Sequence, residues 1–412
     1  MGARETVEIT GHLMDSGILS RVLDDIRDYG ADFVLEQFDV GHEAHDPSSA
    51  RITVQADDDA SLQRLLMRLQ TRGVNQLGHA DATLAVADRA GVLPDGFYST
   101  TDLETRVRLD GEWYDVENPE MDCGLVVDES PSGGPRVRTV PISDVVRGMR
   151  VVVGAAGVRV TPPDSRPAGG STALPQAGTV AERPQAVLVR QVADGMREAR
   201  SSGRRLLWVA GAAVVHAGGV PPLAALVRAG WVDVLFAGNA MATTDIEAAL
   251  RGPAAEGAVS TPDAEHGHEH RVRSVNTIRR AGSVAAAVRD GVLVSGVMHA
   301  LVTHGKPFVL VGSVRDDGLL PDVHTDVVEG RRAMRAEVRD VGYCLMMAAQ
   351  RHAVATCTIL PASVPLVCVD IDPATVTRLT DRGAGQSRGI VTDVGLFLEQ
   401  LALELVADYR RG

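Results

Sequence analysis

Hydrophobic and polar positions change their period three times along the chain. In residues 1–90 short alternating runs and helical stripes follow one another. "TVEITGHL" alternates as a strand. "LSRVLDDIRDYG" sets Val22, Leu23 and Ile26 on one helical face and stops at Gly30, and "DFVLEQFDVG" and "ARITVQA" alternate again. "SLQRLLMRLQTRG" is a second amphipathic helix stopped by Gly73, and "ATLAVAD" closes the set as a strand. The order βαββαβ predicts a small ferredoxin-like domain. Residues 91–161 read as β-rich: "TRVRLDGEWYDVE" is two alternating runs around an Asp-Gly turn at 110–111, and "CGLVVD" and "MRVVVGAAGVRVTP" add strands. Residues 162–185 hold a Pro/Gly/Ser-rich linker. From 186 to 412 apolar runs alternate with helices: "RLLWVAG", "VDVLFAG", "PFVLVGS", a long helical region over 330–355, "PLVCVDID" and "PATVTRLTDRG". Continuous apolar strands separated by helices predict a Rossmann-like parallel sheet covered on both faces. The fold class is therefore α/β, with a polar insertion at 253–275.

Composition narrows the class of function. The 412 residues are 45% hydrophobic and 23% charged, with a formal net charge of -13, which argues against nucleic acid as the main partner and suits a soluble enzyme of small molecules. Aromatics are 3%, so Ala, Val and Leu must build the core. Cys123, Cys344, Cys357 and Cys368 form no C-x-x-C pair, which predicts reduced thiols and a cytoplasmic protein. No segment has the length and apolarity of a membrane span.

In a parallel sheet, ligands bind beyond the C-terminal strand ends. Here these ends carry small or polar residues: Gly211 to Gly219; Gly238, Asn239 and Ala240; Gly312, Ser313, Arg315, Asp316 and Asp317; Asp370 and Asp372; Asp393, Val394 and Gly395. Backbone N–H groups at 211–219 and 238–240 are candidate phosphate cradles, and a strand-end acid is a candidate ribose ligand. Asp372, directly before Pro373, is at least as well placed to cap a helix, whereas Asp370 is not needed as a cap. His266, His268 and His270 have a zinc-like spacing in a β-like segment, but a His-rich polar loop without a nearby Cys needs no metal, and none is expected. His352 on an Ala-rich helical face reads first as a core or interface histidine.

These stretches resemble a known family. "GHLMDSGILSRVLDDI" and "VGHEAHDPSSARITV" are similar to the conserved domain of lysine-oxoglutarate reductase/saccharopine dehydrogenase. "AGNAMATTDIE", "VNTIRRAGS", "VGSVRDDGLLPDVHTD" and "VCVDIDPATVTRLTDRGAGQSRGIVTDVGLFL" resemble the NAD-dependent ornithine cyclodeaminases of archaea and the C-terminal part of cyanobacterial arginine dihydrolase/ornithine cyclodeaminases. The resemblance implies a C-terminal domain similar to the nucleotide domain of deoxyhypusine synthase, which holds NAD without a G-x-G-x-x-G fingerprint. It implies NAD contacts at Asn239 and Ala240, at Asp316 and Asp317, in Ala349, Gln350, Arg351 and His352, and at Asp370, Asp393 and Val394; the strand ends themselves add Gly238, Ser313 and Asp372 as cofactor candidates. The chain departs from the family pattern in several places. "GAAVVHAGG" replaces G-P-A-V-V-H-T-G, "AAQRHAVATCTILP" loses a Thr, a Leu and a Gly-Asn pair, "DDGLLPD" replaces D-D-G-P-L-P-D, and "GVMHAL" has His299 for Tyr and Leu301 for Cys. The expected activity is cyclisation of ornithine or a related diamino acid with loss of ammonia. Arg315 is the candidate clamp for the α-carboxylate, Asp317 or His299 the candidate base, and Glu120 or Asp122 the candidate acid for the distal ammonium. An amino-acid or opine-type dehydrogenase on the same scaffold, or a non-catalytic NAD-binding amino-acid sensor, are the competing expectations. A homo-oligomer is expected.

Overall fold

The computed structural model describes the chain apart from residues 1, 12, 14–16, 42–45, 131–132, 162–184, 252–263, 315, 317–318, 383–386 and 411–412, and apart from the side chains of 264–269 and 381–382. Residues 162–184 of the linker, Arg315 and Asp317 thus lie outside the described residues, while Gln185, the linker's last residue, opens a helix. The N-terminal elements are β1 (Ala3–Gly11), α1 (Ile18–Asp28), β2 (Asp32–Asp39), β3 (Ser48–Ala56), α2 (Asp59–Gln70) and β4 (Asn75–Gln76). Their antiparallel sheet has the order β2-β3-β1-β4, the ferredoxin-like arrangement. Val22 and Ile26 of α1 and Leu65, Leu66 and Leu69 of α2 pack with Val7, Ile9, Ile52 and Val54 of the sheet. Asp58 starts α2 by accepting from Ser61 N at 2.7 Å. The fourth strand is the short β4, not "ATLAVAD". That run forms β5 (Thr83–Val86) and pairs with β10 (Arg150–Val153) in a second sheet.

The second sheet adds β6 (Glu104–Leu109), β7 (Glu112–Glu117), β8 (Gly124–Glu129), β9 (Pro135–Val140) and β11 (Val158–Thr161), in the order β11-β6-β7-β9-β8-β10-β5. The β6–β7 hairpin turns on Asp110 and Gly111, both with positive φ, as a tight Asp-Gly turn requires. Gln70 of α2 donates to Ala155 O at 3.0 Å and Val158 O at 2.8 Å, joining the two sheets into one compact unit. That unit also takes Thr358–Ser363 from far along the chain. Met121 N donates to Thr358 O, and Ala362 N to Asp102 O.

The second unit runs through α3 (Gln185–Ser201), β12 (Arg205–Ala210), α4 (Ala213–His216), α5 (Val220–Arg228), β13 (Val234–Gly238), α6 (Asn239–Arg251), α7 (Ala264–Ala281), α8 (Val284–Arg289), α9 (Val297–Thr303), β14 (Phe308–Val311), β15 (Val323–His324), α10 (Val327–Glu337), β16 (Val341–Met347), α11 (Gln350–Cys357), β17 (Leu366–Asp370), α12 (Pro373–Arg382), β18 (Ser387–Val391) and α13 (Val394–Leu405). The strands form a seven-stranded parallel sheet, β15-β14-β13-β12-β16-β17-β18. Trp208, Leu235, Leu345, Val367 and Phe397 lie in its core. Two expectations change. The stretch 330–355 is not one helix: α10 ends before Asp340, whose φ of 59° turns the chain, and the apolar run "VGYCLMM" becomes β16 beside β12. The segment around His266, His268 and His270 is helical rather than β-like, so positions two apart do not share a face. All four cysteines are buried free thiols. Among the described residues no helix is long and apolar enough to cross a membrane.

Candidate functional site

The chain winds from β12 outward through β13 and β14, then returns to begin β16 on the other side of β12 and winds outward through β17 and β18. The order reverses between β12 and β16, and a doubly wound sheet binds ligands beyond the strand tips at such a switch point. The two tips meet closely. Gly211 N donates to Met347 O at 3.0 Å, and a Cβ on Gly211 would stand 1.8 Å from Ala348 O, so only glycine fits. Ala348 itself has φ 46°, a strained conformation for a residue with a Cβ, of the kind that clusters at ligand sites.

On the β17 and β18 side, acids organise the tips. Asp370 ends β17. Its Oδ1 accepts from Asp372 N at 3.0 Å, and among the described residues no donor holds its Oδ2. Asp372 is a helix cap: it accepts from Ala374 N at 3.1 Å, Thr375 N at 3.2 Å and Thr375 Oγ1 at 2.7 Å. The Thr375 hydroxyl and the Ala374 N–H hold its carboxyl below the usual range. Asp393 caps α13 through Leu396 N at 2.9 Å, and Val394 is buried beside it. Gly395 lets α13 approach the β12 turn, because a Cβ there would lie 1.8 Å from Ala217 O.

On the β13 and β14 side, polar side chains are tied to one another. Asn239, 1% exposed, opens α6 directly after Gly238. Its Oδ1 accepts from Leu320 N at 3.1 Å, and its Nδ2 lies 3.5 Å from Asp316 Oδ1. Asp316 also accepts from Ser313 N at 2.7 Å, closing the turn after β14. The hydroxyls of Thr243 and Thr244 bond back to carbonyls at 239 and 240, including Ala240 O. His352 reaches this side from α11: its Nε2 is 3.3 Å from Val311 O, and a Cβ on Gly238 would stand 2.9 Å from its Cε1. Gly238 and Ala349, the residues before α6 and α11, carry no polar side chain that could cap a first turn, unlike Asp372 before α12 and Asp393 before α13. Open helix N-termini on both sides of the switch point suit a pyrophosphate, and the unspent oxygen of Asp370 suits a ribose hydroxyl. Together with the close Gly211–Ala348 approach, these features fit a bound dinucleotide. Ala349 is buried, whereas Gln350 is half-buried and Arg351 exposed at the mouth of α11.

Other sequence-derived candidates lie elsewhere. His299 is on α9, which leads down to the start of β14, and its charge is influenced by Arg228, the last residue of α5. Burial first, then Arg228 and His304, lowers its pKa. Both helices run toward the opening ends of the strands that follow them, β13 and β14. Glu120 and Asp122 belong to the first unit. Glu120 is buried, with Thr139 Oγ1 3.4 Å from its Oε1, while Asp122 is exposed with φ 61°. Two features escaped the sequence reading. Ala348 gave no signal. Asp245 did, as an acid on the apolar face of α6: fully buried, it accepts from Val297 N at 2.9 Å and Met298 N at 2.8 Å and so fixes the start of α9. Burial raises its pKa to about 6.

Family models agree with this arrangement. Residues 4–103 match the LOR/SDH bifunctional enzyme conserved region, 104–189 the first region of the ArgZ-like arginine dihydrolase C-terminal part, and 190–401 its Rossmann-fold region. The chain is 44% identical to an ornithine cyclodeaminase of Methanothermobacter thermautotrophicus over 98% of both chains. It superposes on the apo structure of ArgZ, a cyanobacterial arginine dihydrolase, with a TM-score of 0.83 and 33% identity, covering 98% of this chain and 58% of that one. It is also similar to AgrE in a ternary complex with ornithine and NAD+, with a TM-score of 0.51 and 35% identity over 99% of this chain and 59% of that one. With a relative so similar along its whole length, the chain belongs to the family of archaeal-type ornithine cyclodeaminases that also forms the C-terminal part of ArgZ-like arginine dihydrolases.

Proposed function

We propose that the protein is an NAD-dependent cyclodeaminase that converts ornithine, or a closely related diamino acid, into proline or the corresponding cyclic amino acid, with release of ammonia. The observation that carries this reading is the switch point between β12 and β16, where two uncapped helix N-termini and the free oxygen of Asp370 face the strand tips. Full-length similarity to ornithine cyclodeaminases supports it. NAD, when bound, supplies reversible hydride acceptance, so the overall reaction is redox-neutral. In the net change the bond from Cα to the α-nitrogen breaks, the distal nitrogen bonds to Cα, and one ammonia leaves.

In this reading the first turns of α6 and α11, with Asn239, Ala240 and Ala349 to His352, hold the pyrophosphate and nicotinamide side. Ser313 and Asp316 shape the β14 turn, and Asp317 is assigned to the cofactor with them. Asp370 takes the adenosine ribose, with Asp372, Asp393 and Val394 building the tips around it. Arg315 is assigned to the substrate carboxylate and Glu120 or Asp122 to the distal ammonium. Residues 1–90 and 91–161 are assigned to amino-acid recognition, 162–185 to a linker and 186–412 to the cofactor, in a cytoplasmic homo-oligomer. The test is mass spectrometry of the purified protein for bound NAD, followed by ornithine and an amino-acid panel scored for ammonia, cyclic product and NADH. Equal ammonia and proline without accumulating NADH is the expected result. NADH growing with product instead identifies a dehydrogenase, and ornithine binding without ammonia identifies a sensor.

A further inference from the structure

The helix that carries His352 starts beyond β16, on one side of the switch point, yet its imidazole reaches the ends of β13 and β14 on the other. The absence of a side chain at Gly238 makes room for the ring. Nε2 is 3.3 Å from Val311 O. A carbonyl oxygen can only accept, so Nε2 carries the hydrogen and Nδ1 of the neutral ring keeps its lone pair. Among the described residues Nδ1 has no hydrogen-bond partner, and it is not one of the buried polar atoms sealed off without one. A fixed tautomer with an open acceptor atom, beside the turn that carries Asp316, is the constellation a proton acceptor needs.

We propose that His352 is the general base of the reaction, its Nδ1 removing a proton from the α-ammonium of the bound diamino acid. The inference rests on the cyclodeaminase reading and assigns it a base. One substrate N–H bond breaks, its electron pair stays on nitrogen, and a new Nδ1–H bond makes the ring an imidazolium. The substrate nitrogen then has the free pair needed to expel hydride from Cα, and the proton is at hand when that nitrogen leaves as ammonia. The charges facing the ring favour this cycle. Burial and Arg351 of α11 lower its pKa, so the ring is proton-free at neutral pH. The Val311 carbonyl and Asp316 act in the opposite sense and steady the imidazolium once formed. His299, which stands where the family motif has Tyr, lies on α9 in the segment that precedes β14.

The experiment compares wild type with His352→Gln and His352→Ala. Expected is a fall in kcat of about 10²–10⁴-fold in both, with loss of the acidic limb of the kcat/KM pH profile and partial recovery of His352→Ala by added imidazole. NAD affinity of the NAD-free protein, measured calorimetrically, should fall by far less than kcat, because the ring also stands in the helix turn assigned to NAD. In wild type without NAD, an NMR histidine titration, with the His352 ring assigned through its own backbone correlations, should fall below the ordinary 6.5. NAD affinity collapsing while kcat at saturating NAD is retained would make His352 a cofactor-positioning residue and overturn the proposal. So would an unchanged acidic limb, or a ring titrating above the ordinary value in wild type, a measurement that holds even if a variant misfolds. If wild type itself yields no ammonia from any diamino acid, the cyclodeaminase reading fails instead.

Discussion

The two sides of the switch point solve the same problem in opposite ways. On the β17 and β18 side each helix start is closed by an acid of its own chain, Asp372 on α12 and Asp393 on α13. On the β13 side and at α11 the helix starts are left open, and polar side chains are fixed by bonds among themselves, Asn239 to Asp316 and His352 to Val311 O. A carboxylate over a helix N-terminus satisfies it and repels phosphate, whereas an uncapped one attracts it. The capped side is therefore suited to the uncharged adenosine, with Asp370 spare, and the open starts to the charged pyrophosphate. Local helix chemistry, repeated at four strand tips, is enough to give the cleft a direction.

The largest effect is expected where the two sides touch. Gly211→Ala places a methyl on Ala348 O and should destabilise the protein by on the order of 3 kcal/mol or more, with loss of NAD binding, as measured by urea unfolding and calorimetry. Near-wild-type stability there would mean that the tips part without cost. Asn239→Ala leaves the Leu320 N–H without an acceptor and should cost about 1–3 kcal/mol in the same unfolding assay. Asp370→Ala should weaken NAD binding at least about tenfold, near 1.4 kcal/mol, while changing Tm little. Asp372→Ala should do the reverse, losing about 1 kcal/mol of stability with NAD affinity nearly intact. If both aspartate variants lose NAD equally, the division between cap and ribose ligand is wrong.

A pH effect lies beneath the open side. Asp245 on α6 is buried with a pKa raised from 3.8 to about 6, so the folded chain holds its proton more tightly than the unfolded chain. Its contribution to stability therefore declines as pH rises from about 4 to about 6 and is flat outside that window. Subtracting the Asp245→Asn unfolding curve from wild type should reveal this slope; parallel curves would deny it.

Much of this was legible in the chain. Alternation and helical stripes give the first sheet, the Asp-Gly pair gives the β6–β7 turn, and strand-end polarity marks five of the tips. Others were not, for identifiable reasons. β16 hides because its ends are punctuated by Asp340 and Ala348 in left-handed conformations rather than by Gly or Pro, and its neighbours are good helix formers. "ATLAVAD" is a strand by pattern, but which sheet it joins depends on pairing with β10, a tertiary choice that local pattern does not encode. The approach of His352 to Gly238 joins positions more than a hundred residues apart and left no trace in either stretch.

One feature bears on how such a protein can be rearranged. Because Thr358–Ser363 is built into the first unit while its flanking helix and strand belong to the second, neither half is a single stretch of gene. An excised 1–161 fragment would leave the Met121 amide and the Asp102 carbonyl without their acceptor and donor, and an excised 186–412 fragment would carry a stranded loop. Exchange of one half for a cousin's must therefore carry those six residues along with it.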